Sequence, residues 1–476
     1  VSAEPTLGEL LARFAEAATY PTLPDAVVDS VKKRVLDTLG ICVAASTLPT
    51  SSAARSYAAG QGGVGQAHAV GVDGSMPATF AGFVNGVLAH SLDYDDTHLP
   101  SVLHPSASVI PAALAAAEAT GADGRATIAA IAAGLEVCVR TGMAGYDEAS
   151  GTSVFFEHGQ HATSICGTLG SSVAAAMLYG LDADGILHSL GLAGSMAAGL
   201  IEANRTGGTV KRMHCGWAAH AGISAAQLVM HGFTGPPTVL EGRFGFYQAW
   251  LHGQFDASAI TDGLGERWTV PDIFFKPYPA NHFTHTVIDA ARALRQRGLS
   301  ADDIERVQVG VPAPIVRTIG EPIEVKRRPE TGYMAQFSGP YAVAAGLFGG
   351  GGLGVGLDDF TDELARDPDR RRLMAKVSVV ADDECTAIFP HQFPAVVTVR
   401  TTIGEEIVEK VLANRGGPQH PLTYDELATK FADNAGRLLP ETVVDAVRST
   451  IATLDELPDL STLLTPLAVP LPDHKR

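Results

Sequence analysis

The sequence predicts a mainly α-helical protein with a smaller α+β second domain, and three observations carry that expectation. Apolar residues recur at helical spacing from residue 6 to about 265. After Trp268, short β-branched runs with partial period-two alternation take over. Past Gly416-Gly-Pro418 the helical spacing returns, so both chain ends are expected in one discontinuous helical domain.

Each segment has its own signature. Leu7, Leu10, Leu11 and Phe14 place a first helix, and Val27, Val28, Val31, Val35, Leu36 and Leu39 place a second within 24–45. Residues 106–119, 126–142, 162–179 and 217–231 are rich in Ala and Gly and poor in charge. Small side chains let helices approach closely, which predicts a tightly packed helical core. Ile304–Val311, Lys376–Ala381 and Ala395–Thr402 read as strands with one covered face, separated by helical stretches near 283–297 and 338–348. Leu422, Leu427, Phe431 and Ala435, then Val443, Val447, Ile451 and Leu454, mark two closing helices. The expected layout is therefore a helical domain of 1–268 with 412–476 and an α+β domain of 269–411. A cleft between the two is where a site is expected.

Composition removes several classes of function. At 476 residues the chain exceeds the size at which a single core usually stops growing. A hydrophobic content of 46% with only 18% charged residues permits a large core and argues against disorder. The formal charge of −18 disfavours nucleic-acid or anionic-membrane binding as a global role, so attraction of an anionic ligand has to be local. The five cysteines, 42, 138, 166, 215 and 385, are scattered and form no Cys-x-x-Cys pair, which suits a reducing, cytoplasmic setting. Cys215 has no obvious orienting partner and is expected to pack. The start Val1-Ser-Ala-Glu-Pro has no secretory pattern, and no uninterrupted apolar run reaches membrane-spanning length.

Gly349-Gly-Gly-Gly-Leu-Gly-Val-Gly356 contains a G-x-G-x-x-G, but a helical stretch precedes it where the dinucleotide fingerprint requires a strand. It is expected to be a flexible surface loop. Lys326-Arg-Arg328 and Asp369-Arg-Arg-Arg372 are expected to be solvated surface, with a dimer contact as the alternative.

The chemistry concentrates at His90-Ser-Leu-Asp-Tyr-Asp-Asp-Thr97-His98, closed by His104-Pro-Ser. Fifteen residues there hold three carboxylates and three imidazoles inside an Ala-rich region. Buried charge is costly unless paired or used, so this reads as an active-site loop. Four further segments join it: Glu157-His-Gly-Gln-His161, Arg205 to Lys211-Arg212-Met-His214, Lys276-Pro-Tyr-Pro-Ala-Asn281-His282, and Gln336-Phe-Ser-Gly-Pro-Tyr341. Their ammonium, imidazole and phenol groups can clamp carboxylates through charge-assisted hydrogen bonds. The acidic loop would also suit a divalent metal, but Lys211 and Lys276 would repel a cation in one pocket and no His-Glu-x-x-His motif is present, so no metal is expected. Asp95 and Asp96 have a plainer reading, capping a helix or pairing with lysines. His90, His188, His220, His231 and His252 read as structural, and His420 and His474 as solvated loop or tail residues.

The Asp93–Thr97 loop, His104-Pro-Ser, His161-Ala-Thr-Ser with Gly167-Thr-Leu-Gly170, Lys211-Arg-Met-His214-Cys-Gly-Trp and Lys276-Pro-Tyr-Pro occur in the order seen in the MmgE/PrpD family, which this chain resembles from residue 6 to about 455. That family includes 2-methylcitrate dehydratase, cis-aconitate decarboxylase and iminodisuccinate epimerase. The resemblance implies a helical domain with an α+β lid, a homodimer, a small carboxylate substrate, and catalysis without metal or organic cofactor. It implies catalytic roles for Asp93, His104, His161, Lys211, Lys276 and Tyr341. It also makes Thr97, Arg212, His214, Asn281 and His282 candidates for substrate binding. Asn281 stands where the decarboxylase resembles a histidine, several dehydratases a glutamate and the epimerase a cysteine, and an amide is no acid or base at neutral pH. The leading expectation is a hydro-lyase acting on a 2-methylcitrate-like hydroxy acid, by acid–base chemistry at the carbon next to a carboxylate. The alternatives are a cis-aconitate-type decarboxylase, a dicarboxylate epimerase and, below them, a non-catalytic acid-binding protein.

Overall fold

A computed structural model describes residues 4–471, with Asn204 and Arg205 described by backbone alone, so His474 and the Arg205 side chain lie outside the described residues. The fold is mainly α-helical with small sheets, and the chain divides into two compact units, 1–273 with 434–476, and 274–433.

The first unit is built from α1 (Leu7–Ala17), α2 (Asp25–Ala45), α3 (Pro49–Gln61), α4 (Ala78–Ala89), α5 (Ser106–Thr120), α6 (Gly124–Met143), α7 (Ala162–Leu178), α8 (Ala183–Met196) and α9 (Val210–Met230). Thr6 starts α1 with a capping box to Glu9, and Asp123 and Asp182 cap α6 and α8. At the centre α7 and α9 pack on each other, with α4, α5 and α6 around them. Glycines set the closeness of these contacts. A Cβ on Gly86 of α4 would lie 2.7 Å from the Cα of Gly216 on α9, and one on Gly134 of α6 would lie 2.7 Å from the Gly170 carbonyl of α7. No side chain fits such spaces, which is the close approach that the small-residue composition predicts.

Helix α6 has the length and apolarity to cross a membrane, but it is a core helix here, with 89% of its apolar window buried. It also holds a buried ion pair, Arg140 Nε to Glu136 Oε1 at 2.7 Å. The Arg140 guanidinium donates to the carbonyls of Ile260, Asp262, Gly263 and Arg267, and Glu136 accepts from both the amide and the hydroxyl of Thr269. An irregular segment is thereby fastened to a helix through its own backbone groups.

In the second unit, α10 (His285–Gln296) and α11 (Gly339–Phe348) pack together and cover a four-stranded sheet made of β1 (Ile304–Val311), β2 (Val377–Ala381), β3 (Ala395–Thr401) and β4 (Glu406–Val411). The order is β2-β1-β3-β4, parallel between β1 and β2 and antiparallel elsewhere. Strand β3 alternates buried and half-buried residues along its length, with Val397 and Val399 facing the core, as its period-two sequence expects. Strand β4 was not foreseen: Glu406, Glu409 and Lys410 leave its alternation without a strongly apolar face. This unit runs to Asp433, past the expected 411, because residues 412–433 are bonded into it. The Phe275 amide donates to Gly416 O, the Phe393 amide to Asn414 Oδ1, and Lys430 Nζ to Lys276 O.

Two expectations about this unit need correction. The glycine run is half-buried and pinned: the amides of Gly350, Gly351 and Gly356 all donate to Asp359 Oδ2, and Arg415 donates to Leu353 O. Its anion-binding amides are thus occupied by a carboxylate of the same chain. Nor is the second basic run all solvated, since Arg370 is buried against the Tyr341 ring and lies 3.7 Å from the Asp359 carboxylate.

Beyond this unit lie the end of α12 (Tyr424–Ala435) and then α13 (Glu441–Ala452), which packs on α2 within the first unit. The glycine contacts give a direct test. Gly86→Ala should cost ~1–3 kcal/mol or more through overpacking, seen as a lower urea midpoint. Exposed Gly60 in α3, where an added Cβ meets nothing within 4 Å, should instead gain stability on substitution by alanine, by roughly 0.5–1 kcal/mol. Equal effects at the two sites would contradict backbone-contact packing.

Candidate active site

Between α4 and α5 the loop 90–105 buries nearly all of its polar side chains. Its backbone is strained at two places: Asp93 has φ +53° and Val102 φ +54°, a left-handed conformation that a β-branched residue rarely adopts. What holds it is Asp96. Arg34 Nη1 donates to Asp96 Oδ2 at 2.6 Å, the Ser106 hydroxyl donates to the same oxygen, and the Ser106 amide at the start of α5 donates to Oδ1 at 3.2 Å. Arg34 also donates to Ser30 Oγ and to the carbonyls of Val270 and Ile273. Burial pushes the Asp96 carboxyl up and the Arg34 guanidinium down, and each partner's charge opposes that shift in the other. Asp96 does cap a helix, as one sequence reading allowed, but its cation is an arginine and not a lysine.

The same residue orients His104. Its ring Nδ1 lies 2.7 Å from the Asp96 carbonyl, with Thr97 Oγ1 at 3.3 Å. A carbonyl only accepts, so Nδ1 carries the hydrogen and Nε2 is left as the acid–base atom. His90 Nδ1 lies 2.6 Å from Asp95 Oδ2. His161 caps the N-terminus of α7, and its Nδ1 is 2.9 Å from Nδ1 of His214 on α9. Because one of those nitrogens must donate and the other accept, the two rings take complementary tautomers. Ring centroids are 5.4 Å apart for His104 and His90, 5.5 Å for His90 and His161, and 4.9 Å for His161 and His214. Four imidazoles therefore form one continuous row. Lys211, a turn before His214, holds its Nζ 3.6 Å from Asp93 Oδ1 and keeps a quarter of its side chain exposed.

Two rings of the row, His161 and His214, are favoured in their neutral forms. Burial holds His161 well below the usual histidine range, with further lowering from His90, Lys211, His214 and His104. His214 is lowered to about 4 by burial and then by His90 and Lys211. His98, which bonds Ser101 Oγ at 2.7 Å, is likewise lowered to about 4, by burial and by Arg34. Such a site has one exposed ammonium and several uncharged nitrogen groups, which suits a ligand carrying negative charge.

In the first unit the structure thus brings together Asp93, Thr97, His104, His161, Lys211 and His214. Arg212 is half-buried, and as the next residue of the helix it points roughly 100° away from Lys211. The remaining candidates lie in the second unit. Lys276 is buried there. Asn281 caps the short turn His282–Thr284, its Oδ1 accepting from the Phe283 amide at 3.1 Å. His282 is buried with its ring centroid 4.6 Å from that of His285 and edge-on to Phe274 and Phe393. Tyr341 differs from its expected catalytic role. It is fully buried in the core of this unit, its hydroxyl donates to Asp359 O at 2.6 Å and receives Arg370 Nη1 at 3.3 Å, and burial pushes the phenol up to about 12. A hydroxyl so committed is a packing anchor.

Sequence reasoning passed over Arg34 and treated His90 as structural. Arg34 had a signal, since it shares the apolar stripe of Val27 and Val31 at helical spacing. Among the described residues no group of three or more His, Cys, Asp or Glu is arranged to hold a metal ion.

Comparison with known proteins adds to this geometry. Residues 9–258 match the family model described as the MmgE/PrpD N-terminal domain, and residues 278–456 match the MmgE/PrpD C-terminal domain. Cis-aconitate decarboxylase of Homo sapiens is 30% identical over 463 residues, covering 94% of this chain and 92% of that protein. The Mus musculus cis-aconitate decarboxylase is 29% identical over 93% of this chain and 89% of its own length. That of Aspergillus terreus is 25% identical over 94% and 93%.

The lowered histidines make stability depend on pH with a definite sign. Their folded values lie below the unfolded value of 6.5, reaching about 4 for His98 and His214, so the unfolded chain binds more protons within that window. Their contribution is complete above about pH 6.5 and is lost as pH falls toward 4, at up to ~1.4 kcal/mol per pH unit and histidine. Urea midpoints should fall steadily across that range, and a flat profile would show that these rings are not buried as neutral groups.

Proposed function

We propose that this chain, which belongs to the MmgE/PrpD family, is a carboxy-lyase that decarboxylates cis-aconitate or a closely similar unsaturated tricarboxylate. The supporting observation is the row of four imidazoles beside Lys211, in a chain with relatives, matched over nearly all of its length, that are named cis-aconitate decarboxylase. This replaces the hydro-lyase as first choice.

The reaction asks for two things that such a site can offer. Breaking the bond between a carboxylate and the carbon next to the double bond releases carbon dioxide. The electron pair left behind spreads through the double bond toward a second carboxylate. Negative charge thus moves onto the remaining skeleton, and an adjacent cation lowers that cost. Lys211 supplies the cation in this reading, with Asp93 holding its ammonium. One proton then closes a carbon–hydrogen bond, and His104 Nε2 delivers it after taking it up from water, since its Nδ1 keeps its own hydrogen on the Asp96 carbonyl. His161 and His214 complete the site as hydrogen-bonding groups for the carboxylates.

The hydro-lyase is kept as a second reading because of Asn281. That side chain has no proton to exchange at neutral pH, and its oxygen already accepts from the Phe283 amide. In a hydro-lyase one histidine takes the proton next to a carboxylate while Asp93 with Thr97, or His104, helps the hydroxyl leave. Lys276, His282 and Arg212 keep, as proposals, the roles the resemblance implies. A homodimer in the cytoplasm completes the proposal, and light scattering reads the dimer.

The deciding experiment follows citrate, 2-methylcitrate, cis-aconitate, tartrate and iminodisuccinate by proton NMR in deuterium oxide with carbon dioxide detection. Carbon dioxide from cis-aconitate is expected. Loss of water from a hydroxy acid would move the protein to the hydro-lyases, and α-deuterium exchange alone to the epimerases. Lys211→Ala should then lower kcat/KM about 10- to 100-fold, the effect of removing a charge-assisted bond worth roughly 1.5–3 kcal/mol. An unchanged kcat/KM would remove Lys211 from the site.

A further inference from the structure

The reading above gives His90 and Asp95 no chemical role, yet His90 stands inside the imidazole row and Asp95 is bonded to it. A carboxylate only accepts, so at 2.6 Å His90 Nδ1 donates to Asp95 Oδ2. The His90 side chain is wholly buried, and its Nε2 has no hydrogen-bond partner among the described residues. The same Asp95 oxygen lies 4.0 Å from Nδ1 of His104. Among the described residues, the other titratable groups around this pair include His161, His214, Lys211 with Asp93, the thiols of Cys42 and Cys215, and the Arg34–Asp96 ion pair.

We propose that Asp95 is the built-in counter-anion of the site and His90 the positioning residue that aims it, so that His104 can hold a proton beside the substrate. When His104 Nε2 accepts that proton the ring becomes an imidazolium whose Nδ1, still bonded to the Asp96 carbonyl, lies 4.0 Å from the Asp95 carboxylate, near enough for the two charges to attract. When the proton leaves for carbon, the ring returns to its neutral form and Asp95 keeps its bond to His90. An opposite charge 4–6 Å away shifts such an ionisation by about one to three pKa units. His90 acts only through the hydrogen on Nδ1, and the amide of an asparagine can supply that donor in its place.

The inference rests on the proposed acid–base role of His104, and its test separates the two. Asp95→Asn, His90→Asn and His90→Leu are compared with the wild type by NMR of 13Cε1-labelled histidines across pH. The pH profile of kcat/KM is measured in parallel, with circular dichroism confirming the fold. In Asp95→Asn the His104 resonance and the alkaline limb of the profile, where the proton donor is lost, should both move to lower pH by about one to three units. His90→Leu should move them in the same direction, and His90→Asn should leave them at the wild-type position. Coincident titrations for Asp95→Asn and wild type would overturn the proposal, as would a shift in His90→Asn as large as that in His90→Leu. The Asp95→Asn and His90→Asn pair decides the matter if His90→Leu fails to fold. Because the NMR arm needs no turnover, absence of carbon dioxide would count against the carboxy-lyase reading alone.

Discussion

The first unit's candidate site depends on how one buried carboxylate, Asp96, is answered. A charge with no water around it is tolerable only when donors surround it, and Asp96 has three: the Arg34 guanidinium, the Ser106 hydroxyl and the Ser106 amide. These contacts tie the loop to α2 on one side and to the start of α5 on the other. The Asp96 carbonyl then fixes the His104 ring, so one residue sets the loop's path and the tautomer of a neighbouring imidazole. The left-handed backbone at Asp93 and Val102 persists because this anchoring over-determines it.

Many of the long helices and three of the four strands in the second unit's sheet were legible in the sequence because their apolar spacing matches the period of the element they form, whereas Pro49–Gln61, Ala78–Ala89 and Ala183–Met196 were not singled out. Strand β4 was not, since Glu406, Glu409 and Lys410 mask its alternation. The candidate site was legible in part. Asp93, Thr97, His104, His161, Lys211 and His214 come together in the first unit from three separated segments, and no local period encodes that meeting. Their residue types and the resemblance pointed to it. Arg34 was missed because a charged residue on an apolar stripe reads as an exception until its buried partner is known. Tyr341 shows the converse, a candidate whose surroundings the sequence did not indicate. It follows a segment rich in chemistry, but its hydroxyl is taken by Asp359 O, a long-range partner that sequence reasoning did not anticipate.

The proposed acidic ligand needs a local cation in a protein that is acidic as a whole, and the partly exposed Lys211 ammonium beside the imidazoles is the group available for it. The formal charge of −18 is a property of the whole surface, screened within about 10 Å at ordinary salt. Inside a buried cluster the local groups decide, and there His98, His161 and His214 are favoured as neutral rings that offer hydrogen bonds, which leaves the positive charge to Lys211. The same burial raises the thiols of Cys42, Cys138, Cys166 and Cys215, which makes them packing groups and not nucleophiles.

The glycine run shows what spelling alone leaves out. Its amides converge on an anion, but that anion is Asp359, a few residues along the same chain. A group tethered by so short a stretch acts at an effective concentration on the order of mM or more, without paying the translational entropy of an arriving ligand. Free phosphate or a nucleotide would therefore compete with a permanent occupant. The loop is in effect a receptor made already bound, and its sequence records the receptor while its fold records the ligand.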